Sequence, residues 1–145
     1  MKPYKHKVQY YETDQMGIVH HSNYIRWFEE ARIDLMDQMG FGYDQMEKQG
    51  IISPVLSVEA DYLRMIRFGG SVTIEAVIKE YNGIKLEISY KVIDEKTEMV
   101  HCRGITKHCF LNHKGRPISL KKEHKDIHEM FMNNFRKDAD TTSER

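Results

Sequence analysis

Polar and apolar residues alternate along five segments of the chain, a pattern typical of β-strands with one buried face. The first segment covers residues 4–11, and the others cover 56–62, 72–79, 84–92 and 98–111. A Gly69-Gly70 break, an Asn82-Gly83 hairpin turn and a polar turn over 94–97 separate the last four segments. Because these four are joined by short connections, we expect a largely antiparallel sheet.

Between the first and second strands the apolar residues recur every 3.6 positions, which predicts a helix. Ser22 or Asn23 is a suitable N-cap, and Gly40 is a natural stop. The predicted apolar stripe consists of Tyr24, Trp27, Phe28, Ala31, Leu35, Met36 and Met39. A second, shorter helix is predicted over residues 121–136, with Ile127, Phe131 and Phe135 on one side.

The predicted order is strand, long helix, four strands and short helix, which favours the α+β class. One long helix would pack on a five-stranded antiparallel sheet, and edge strands would remain for a second subunit to cover. We expect one domain over residues 1–137 and a disordered tail over 138–145, because the tail is polar and has no large apolar residue.

Length and charge narrow the possible functions. The chain has 145 residues, which suits one domain, and its 22 Lys+Arg balance 22 Asp+Glu. A zero net charge argues against nucleic-acid binding by bulk electrostatics, which needs a basic excess. It leaves room for a local basic patch that binds a small anionic ligand. A neutral chain also lacks strong self-repulsion, so self-association is expected.

Hydropathy and cysteine placement predict a cytoplasmic protein. No apolar run reaches the roughly 18–20 residues of a membrane span, and residues 1–11 contain no hydrophobic signal core. Cys102 and Cys109 fall on one predicted strand, about 23 Å apart. A disulfide requires Cα atoms about 4.4–6.8 Å apart, so we expect no bridge between them.

The segment richest in candidate chemistry covers residues 10–32 and reads YYETDQMGIVHHSNYIRWFEEAR. Asp14 leaves a predicted strand and precedes the long helix. An Asp at such a place is commonly a turn former or a helix cap. The cap interpretation is weak because Ser22 and Asn23 stand nearer the helix start. Spacing alone therefore favours a turn-forming role slightly over a functional one.

This segment resembles the hot-dog-fold thioesterases of the 4-hydroxybenzoyl-CoA thioesterase type. Their signature is Asp-x-x-Gly-(aliphatic)-Val-x-(His or Tyr)-x-x-Tyr leading into an aromatic helix. The matching residues are Asp14, Gly17, Ile18, Val19, His21 and Tyr24. The order of elements also resembles that family to about residue 120. The resemblance implies a hot-dog fold, hydrolysis of acyl-CoA thioesters without a cofactor, and a homodimer or homotetramer.

The resemblance also implies roles for three residues. Asp14 would act as nucleophile or general base, since a carboxylate can attack an acyl carbon or deprotonate a water. Backbone N–H groups at the helix start, around His21, would polarise the thioester carbonyl. The His21 side chain would contact substrate or water near Asp14. Gly17 would either let the loop backbone approach the substrate or simply permit the turn.

Three basic residues fall near positions where related enzymes contact the CoA nucleotide. They are Arg67, Lys85 and Arg116, each of which also fits a solvated surface charge. The adjacent His20 and His21 are not expected to bind a metal, because no Cys or carboxylate cluster at zinc spacing accompanies them. The remaining histidines are expected at the surface.

Two other functions remain open on the same fold. A non-catalytic acyl-CoA or acyl-carrier binding module would not need a carboxylate at the carbonyl, so the presence of Asp14 and His21 favours the enzyme. A dehydratase is less favoured, because that branch uses a differently arranged His and acidic residue on a longer central helix. Release of free thiol from acyl-CoA would separate the enzyme from the binding module.

Overall fold

The computed structural model describes residues 1–143, and the side chains of residues 1–137. The strands are β1 (Tyr4–Lys7), β2 (Val55–Tyr62), β3 (Ser71–Tyr81), β4 (Lys85–Asp94) and β5 (Val100–Cys109). The helices are α1 (Ser22–Gln38), α2 (Tyr43–Lys48), α3 (Leu120–Glu123) and α4 (Lys125–Ser143), with a 3-10 helix at Tyr10–Glu12. The predicted α+β class is confirmed, and the predicted elements occur in the predicted order, with α2 and the short helices as additions.

The five strands form one antiparallel sheet in the order β1-β3-β4-β5-β2. Strand β1 pairs with β3 so that Tyr4 lies opposite Ile74. The Asn82-Gly83 turn joins β3 to β4, as predicted. Gly83 has a φ of 90°, and the Asn82 side chain accepts the backbone N–H of Lys85. Strand β2 lies at the edge of the sheet, and nearly all its side chains are exposed.

The chain divides into two compact units. The first contains Met1–Leu35, Glu59–Ala76 and Ser89–Ile105. Its core is aromatic: Phe28 of α1 stacks on Tyr90 of β4, with ring centroids 4.5 Å apart and planes 19° from parallel. Gly104 makes this packing possible, because a Cβ there would collide with the Phe28 ring. Phe28 of the predicted apolar stripe thus packs on the sheet, and the stripe residues of α1 in this unit, Tyr24, Trp27, Phe28, Ala31 and Leu35, are buried as the sequence pattern predicts.

The second unit contains Met36–Val58, Val77–Ile88 and the chain from Thr106 onward. Tyr81 stacks on Phe131 of α4 at a centroid distance of 5.1 Å, and its hydroxyl bonds His128 Nδ1 at 2.8 Å. His108 is only 1% exposed and bonds the Thr106 hydroxyl at 2.8 Å. The expectation that the remaining histidines lie at the surface is therefore wrong for His108.

Several element boundaries differ from those predicted. Strand β1 ends at Lys7, because a capping box between Gln9 and Glu12 turns the chain into a 3-10 helix. Helix α2 was not predicted. It has six residues, of which Met46 is buried, and a helix this short shows no periodic signal. Ser22 is the first residue of α1, so the predicted N-cap role of Ser22 and Asn23 is wrong.

The C-terminal helical segment is broken at His124, and α4 then continues to Ser143, beyond the predicted end at residue 136. The predicted disordered tail covers residues 138–145. Residues 144–145, and all side chains from 138 onward, lie outside the described residues.

Cys102 and Cys109 share β5 and are both free, as predicted. Cys102 is buried, and burial is the main cause that raises the pKa of its thiol to about 12, with the nearby Asp61 adding to it. No helix within residues 1–143 combines the length and apolar character that crossing a membrane requires.

Candidate active site

The loop before α1 is held as a tight turn that begins at Asp14. The Asp14 N–H donates to the Ile18 carbonyl at 2.8 Å, and the Gly17 N–H donates to the Asp14 carbonyl at 3.0 Å. Gly17 has a φ of 75°, and an added Cβ would meet no atom within 4 Å. Glycine is therefore required by the positive φ, because the open space around it would otherwise accommodate a side chain. This geometry supports the turn-forming role of Gly17, and the predicted approach to substrate stays a prediction.

The Asp14 side chain is exposed but anchored at one end. Its Oδ1 accepts the Met16 backbone N–H at 2.8 Å, an Asx-turn contact. Its Oδ2 makes no hydrogen bond within the described residues. One carboxylate oxygen therefore fixes the side chain, and the other is available to a ligand or a water.

Asp14 lines a cleft of about 360 Å³ in the first unit. The other lining residues come from the same loop, from the start of α1 and from the end of β2 and the segment after it. They are Ile18, Val19, His20, His21, Tyr24, Tyr62, Leu63, Arg64 and Met65. The structure thus brings together Asp14 and His21, the two predicted catalytic residues.

At the start of α1, beside this cleft, one backbone N–H has no hydrogen-bond acceptor within the described residues. The Ser22 N–H donates to His20 Nδ1 at 3.2 Å, the Asn23 N–H donates to the His20 carbonyl at 3.0 Å, and the Tyr24 N–H donates to the His21 carbonyl at 3.3 Å. The His20 N–H donates to the Glu12 carbonyl at 2.9 Å. Among residues 20–24, only the His21 backbone N–H has no acceptor within the described chain. Such a donor can hold a developing oxyanion.

An aromatic wall lines the cleft beside this amide. The Tyr24 and Tyr62 rings lie 5.1 Å apart, and the His21 ring lies 6.2 Å from Tyr62. Burial, with a smaller effect from Cys102, raises the pKa of both tyrosines above the usual 10.0, so their hydroxyls are neutral at pH 7. The wall therefore adds no negative charge beside Asp14.

A buried carboxylate, Glu12, joins the loop to α1 and was missed by the sequence analysis. It is 4% exposed. Its Oε1 accepts the Gln9 N–H at 2.7 Å and bonds His6 Nε2 at 2.8 Å, and its Oε2 accepts Trp27 Nε1–H at 2.6 Å. Burial raises the Glu12 pKa, but these hydrogen bonds outweigh it and hold the pKa below its usual 4.5. Glu12 is therefore a charged structural anchor two residues before Asp14.

The three predicted nucleotide-binding residues do not line this cleft. Arg67 is exposed, and its backbone forms an antiparallel bridge with Ile18 in the Asp14 loop. Lys85 lines another cavity, of about 280 Å³, in the second unit. Arg116 lies in a turn of the second unit. The basic residue that does line the cleft is Arg64, which the sequence analysis missed and whose guanidinium donates to the Val100 carbonyl at 3.0 Å.

No three His, Cys, Asp or Glu side chains within the described residues come together as a candidate metal site. His20 instead contacts Ser22: the His20 Nδ1 and Ser22 Oγ atoms are 2.9 Å apart. The rings of His20 and His21 lie 4.2 Å apart. The paired histidines therefore belong to the helix start and the cleft wall.

Comparison with known proteins identifies the family of the chain. Residues 8–135 match the family model of the thioesterase-like superfamily. A Bacillus subtilis (strain 168) protein named "Putative acyl-CoA thioesterase YneP" is 34% identical over 126 residues, which cover 86% of this chain and 91% of that protein. The solved structure of a DHNA-CoA thioesterase from Staphylococcus aureus is 32% identical, with a TM-score of 0.86 over 91% of this chain and 89% of that one.

A solved Thermus thermophilus protein, TT1821, described as hypothetical, is 29% identical, with a TM-score of 0.85 over 92% of this chain and 99% of that one. The similarity in sequence and in fold thus extends along nearly the whole chain. The chain therefore belongs to the thioesterase-like superfamily and is a hot-dog-fold thioester hydrolase.

Proposed function

We propose that the protein hydrolyses acyl-CoA thioesters to a free carboxylic acid and CoA, using Asp14 as nucleophile or general base. The observation that carries this proposal is that Asp14 and His21 line one cleft. Within the part of the chain that the structure describes, one Asp14 carboxylate oxygen and the His21 backbone N–H have no hydrogen-bond partner. Thioester hydrolysis needs both a basic oxygen and a donor for the carbonyl oxygen.

The chemistry follows two routes that share the same donor. In the first, Asp14 Oδ2 attacks the acyl carbon, CoA leaves as its thiolate, and water hydrolyses the resulting anhydride to the acid and a free Asp14. In the second, Asp14 removes a proton from a water that attacks the acyl carbon, the C–S bond of the resulting intermediate breaks, and CoA leaves as its thiolate while Asp14 returns the proton to solvent. In both, negative charge develops on the carbonyl oxygen, where the His21 N–H stabilises it by about 3–4 kcal/mol, the usual value of one such donor.

A thiolate leaving group makes a strong general acid unnecessary. A thiol of cysteine type has a pKa of about 8.5, so its anion departs readily at neutral pH. This agrees with the cleft, where burial raises the pKa of the Tyr24 and Tyr62 hydroxyls and so makes them weaker acids. One carboxylate and one well-placed amide are then sufficient.

The names of the relatives support CoA as the thiol part of the substrate. The Bacillus subtilis relative is named for acyl-CoA, and the Staphylococcus aureus structure for DHNA-CoA. For the phosphates of CoA we propose Arg64, which lines the cleft, and Arg67, whose backbone bridges to the Asp14 loop. Lys85 and Arg116, both in the second unit, remain candidate contacts for the nucleotide.

We further propose that a second copy of the chain covers strand β2, as a homodimer or as part of a homotetramer. This edge strand exposes Val55, Leu56, Val58 and Tyr62. An exposed apolar edge with unpaired backbone groups is a template for pairing with another strand. Coverage would remove this surface from water.

For the cellular compartment we propose the cytoplasm. Both cysteines are free, and thiols stay reduced there. Cell fractionation with an antibody to the protein tests this directly.

Release of free thiol from a panel of acyl-CoAs, followed with a thiol-reactive dye, tests the activity. We expect turnover by the wild type and a loss of about 10²–10⁴-fold in kcat for Asp14→Asn, which keeps the shape and removes the base. Glu129→Gln makes the same chemical change on the exposed face of α4 and should retain wild-type kcat. Tight acyl-CoA binding without thiol release would identify a binding module, and near-normal kcat in Asp14→Asn would exclude its proposed role.

Single turnover in oxygen-18 water separates the two routes. Label recovered in the Asp14 carboxylate indicates the anhydride, because label enters there only when water attacks the Asp14 carboxyl carbon of that intermediate. Label confined to the released acid indicates attack of water on the acyl carbon, and a hydroxylamine quench then separates the routes, because only an Asp14 anhydride can be converted to an Asp14 hydroxamate.

A further inference from the structure

We propose that Asn23 is a positioning residue that orients and polarises the peptide bond carrying the oxyanion-binding amide. This inference rests on the proposed function, since it concerns how the His21 N–H is held. Asn23 is a buried polar residue in the first turn of α1, only 5% exposed. Its amide group lies against the chain segment that forms the cleft.

The two hydrogens of the Asn23 carboxamide go to two different carbonyls. Nδ2 donates to the Glu12 carbonyl at 2.8 Å and to the His20 carbonyl at 3.3 Å. The Asn23 backbone N–H also donates to the His20 carbonyl, at 3.0 Å. The His20 carbonyl therefore accepts two hydrogen bonds, both from Asn23.

The His20 carbonyl and the His21 N–H belong to the same peptide unit. In a planar trans peptide the C=O and N–H point in opposite directions. Two donors that fix the oxygen on one side therefore fix the direction of the N–H on the other. The His21 N–H has no acceptor among the described residues, so Asn23 fixes the direction of this N–H and leaves it available to a ligand.

The same contacts strengthen that amide as a donor. Hydrogen bonds along a chain polarise one another, by about 10–30% per bond in condensed phases. Donation to the His20 oxygen withdraws electron density from the peptide and leaves the His21 N–H more positive. The other hydrogen of the Asn23 carboxamide is donated to the Glu12 carbonyl, and this bond ties the helix start to the segment just before Asp14.

The other end of the carboxamide supplies a matched control. Asn23 Oδ1 accepts a hydrogen bond from Arg26 Nη1 at 3.1 Å. Arg26 is exposed on α1 and does not line the cleft. Arg26→Ala therefore removes a hydrogen bond from the same side chain while leaving both of its donated bonds in place.

The test compares kcat and KM of Asn23→Ala, Asn23→Ser and Arg26→Ala on the acyl-CoA that the wild type turns over best. Complete removal of an oxyanion donor typically costs about 10²–10³-fold in kcat, so a misdirected donor should cost about tenfold or more. We expect that loss in kcat for Asn23→Ala with KM nearly unchanged, a smaller loss for Asn23→Ser, which keeps one donor, and wild-type kcat for Arg26→Ala.

A spectroscopic measurement distinguishes positioning from a loss of folded protein. Asp14→Asn is used to hold a carbonyl-13C acyl-CoA intact, and infrared spectroscopy records its C=O stretch. When the acyl-CoA binds to Asp14→Asn, its C=O stretch should shift to lower frequency. In the double variant that also carries Asn23→Ala, most of that shift should be absent.

Four results would overturn the inference. They are an equal effect of Asn23→Ala and Arg26→Ala, a loss confined to KM, an unchanged C=O shift, and failure of both Asn23 variants to fold, which would show a purely structural role. Failure of the proposed function looks different, because the wild type would then release no thiol or Asp14→Asn would retain full turnover.

Discussion

Replacing Glu12 with Gln should destabilise the protein by about 2–4 kcal/mol, because a buried N–H would lose its acceptor. The carboxylate accepts Gln9 N–H and bonds His6 on one oxygen, and accepts Trp27 Nε1–H on the other. A carboxamide of the same shape has one oxygen, so its NH₂ faces either Trp27 or Gln9. The orphaned donor costs about 1–3 kcal/mol, and loss of charge assistance in the remaining bonds adds about 1 kcal/mol.

Urea unfolding followed by circular dichroism measures this difference at pH 7. Glu129→Gln is the matched control, since it makes the same change on an exposed side chain and should alter stability by less than about 0.5 kcal/mol. A double-mutant cycle with Trp27→Phe isolates the contact, because removing the indole N–H removes one possible orphan. Glu12→Gln should cost about 1 kcal/mol less in the Trp27→Phe background. Equal costs in both backgrounds, or a cost as small as the control's, would refute the reasoning.

The pH dependence of the Glu12→Gln difference provides a second check on the same network. The folded-state pKa of Glu12 lies below its usual 4.5, because its hydrogen bonds outweigh the effect of burial. A lowered carboxyl pKa contributes stability that is full above the unfolded-state pKa and is lost as pH falls through the folded-state pKa. The stability gap between wild type and Glu12→Gln should therefore be widest near neutral pH and narrow below pH 4.5. A gap that widens on acidification would contradict the assignment of Glu12 as a stabilised carboxylate.

Four further substitutions have defined outcomes. Gly17→Ala should lose about 1–2 kcal/mol in urea unfolding, because a side chain at a φ of 75° is strained although the site is open. Gly104→Ala should lose about 1–3 kcal/mol through overpacking against the Phe28 ring. Arg64→Gln should raise KM for acyl-CoA about tenfold with kcat nearly unchanged, because the proposed charge-assisted bond to phosphate would be lost. Leu56→Lys, on the exposed edge strand, should weaken self-association about tenfold in sedimentation equilibrium.

Matched controls make these outcomes interpretable. Gly70→Ala adds a Cβ with ordinary contacts of 3.8 Å at a residue outside the left-handed region, so it should unfold like wild type. Arg136→Gln, exposed on α4, should leave KM unchanged, and Ile84→Lys, exposed at the β3–β4 turn, should leave self-association unchanged. Equal effects in a variant and its control would contradict the corresponding prediction.

The order and type of the main elements could be predicted because each has a distinct side-chain period. Strand side chains alternate with period 2 and helix side chains recur every 3.6 residues, and both periods come from local backbone geometry. Helix α1 shows this clearly: Trp27 and Phe28 of the predicted stripe are buried, and Glu29 and Glu30 are exposed. Helix α2 could not be predicted, because six residues with one buried side chain carry no measurable period.

Site residues that belong to the family motif could be predicted from the sequence, and those whose role depends on burial could not. Asp14 and His21 were found through the family resemblance, and the structure brings both to one cleft. Glu12 follows the first alternating segment, and nothing in its local sequence predicts burial. Its burial depends on Trp27, fifteen positions away. Asn23 fitted the pattern of a helix cap, yet the helix begins one residue earlier and its side chain turns to the Glu12 and His20 carbonyls.

Local periodicity and one short contiguous motif are enough to predict the α+β class, the order of the main strands and helices, and the acidic residue in the loop before α1. Three features of the site emerge only once the chain is packed: within the described residues the His21 N–H lacks an acceptor, Arg64 lines the cleft, and Glu12 is buried as a carboxylate. Those features depend on where hydrogen bonds from distant segments end. Such pairing is set by packing in three dimensions and leaves no period along the chain.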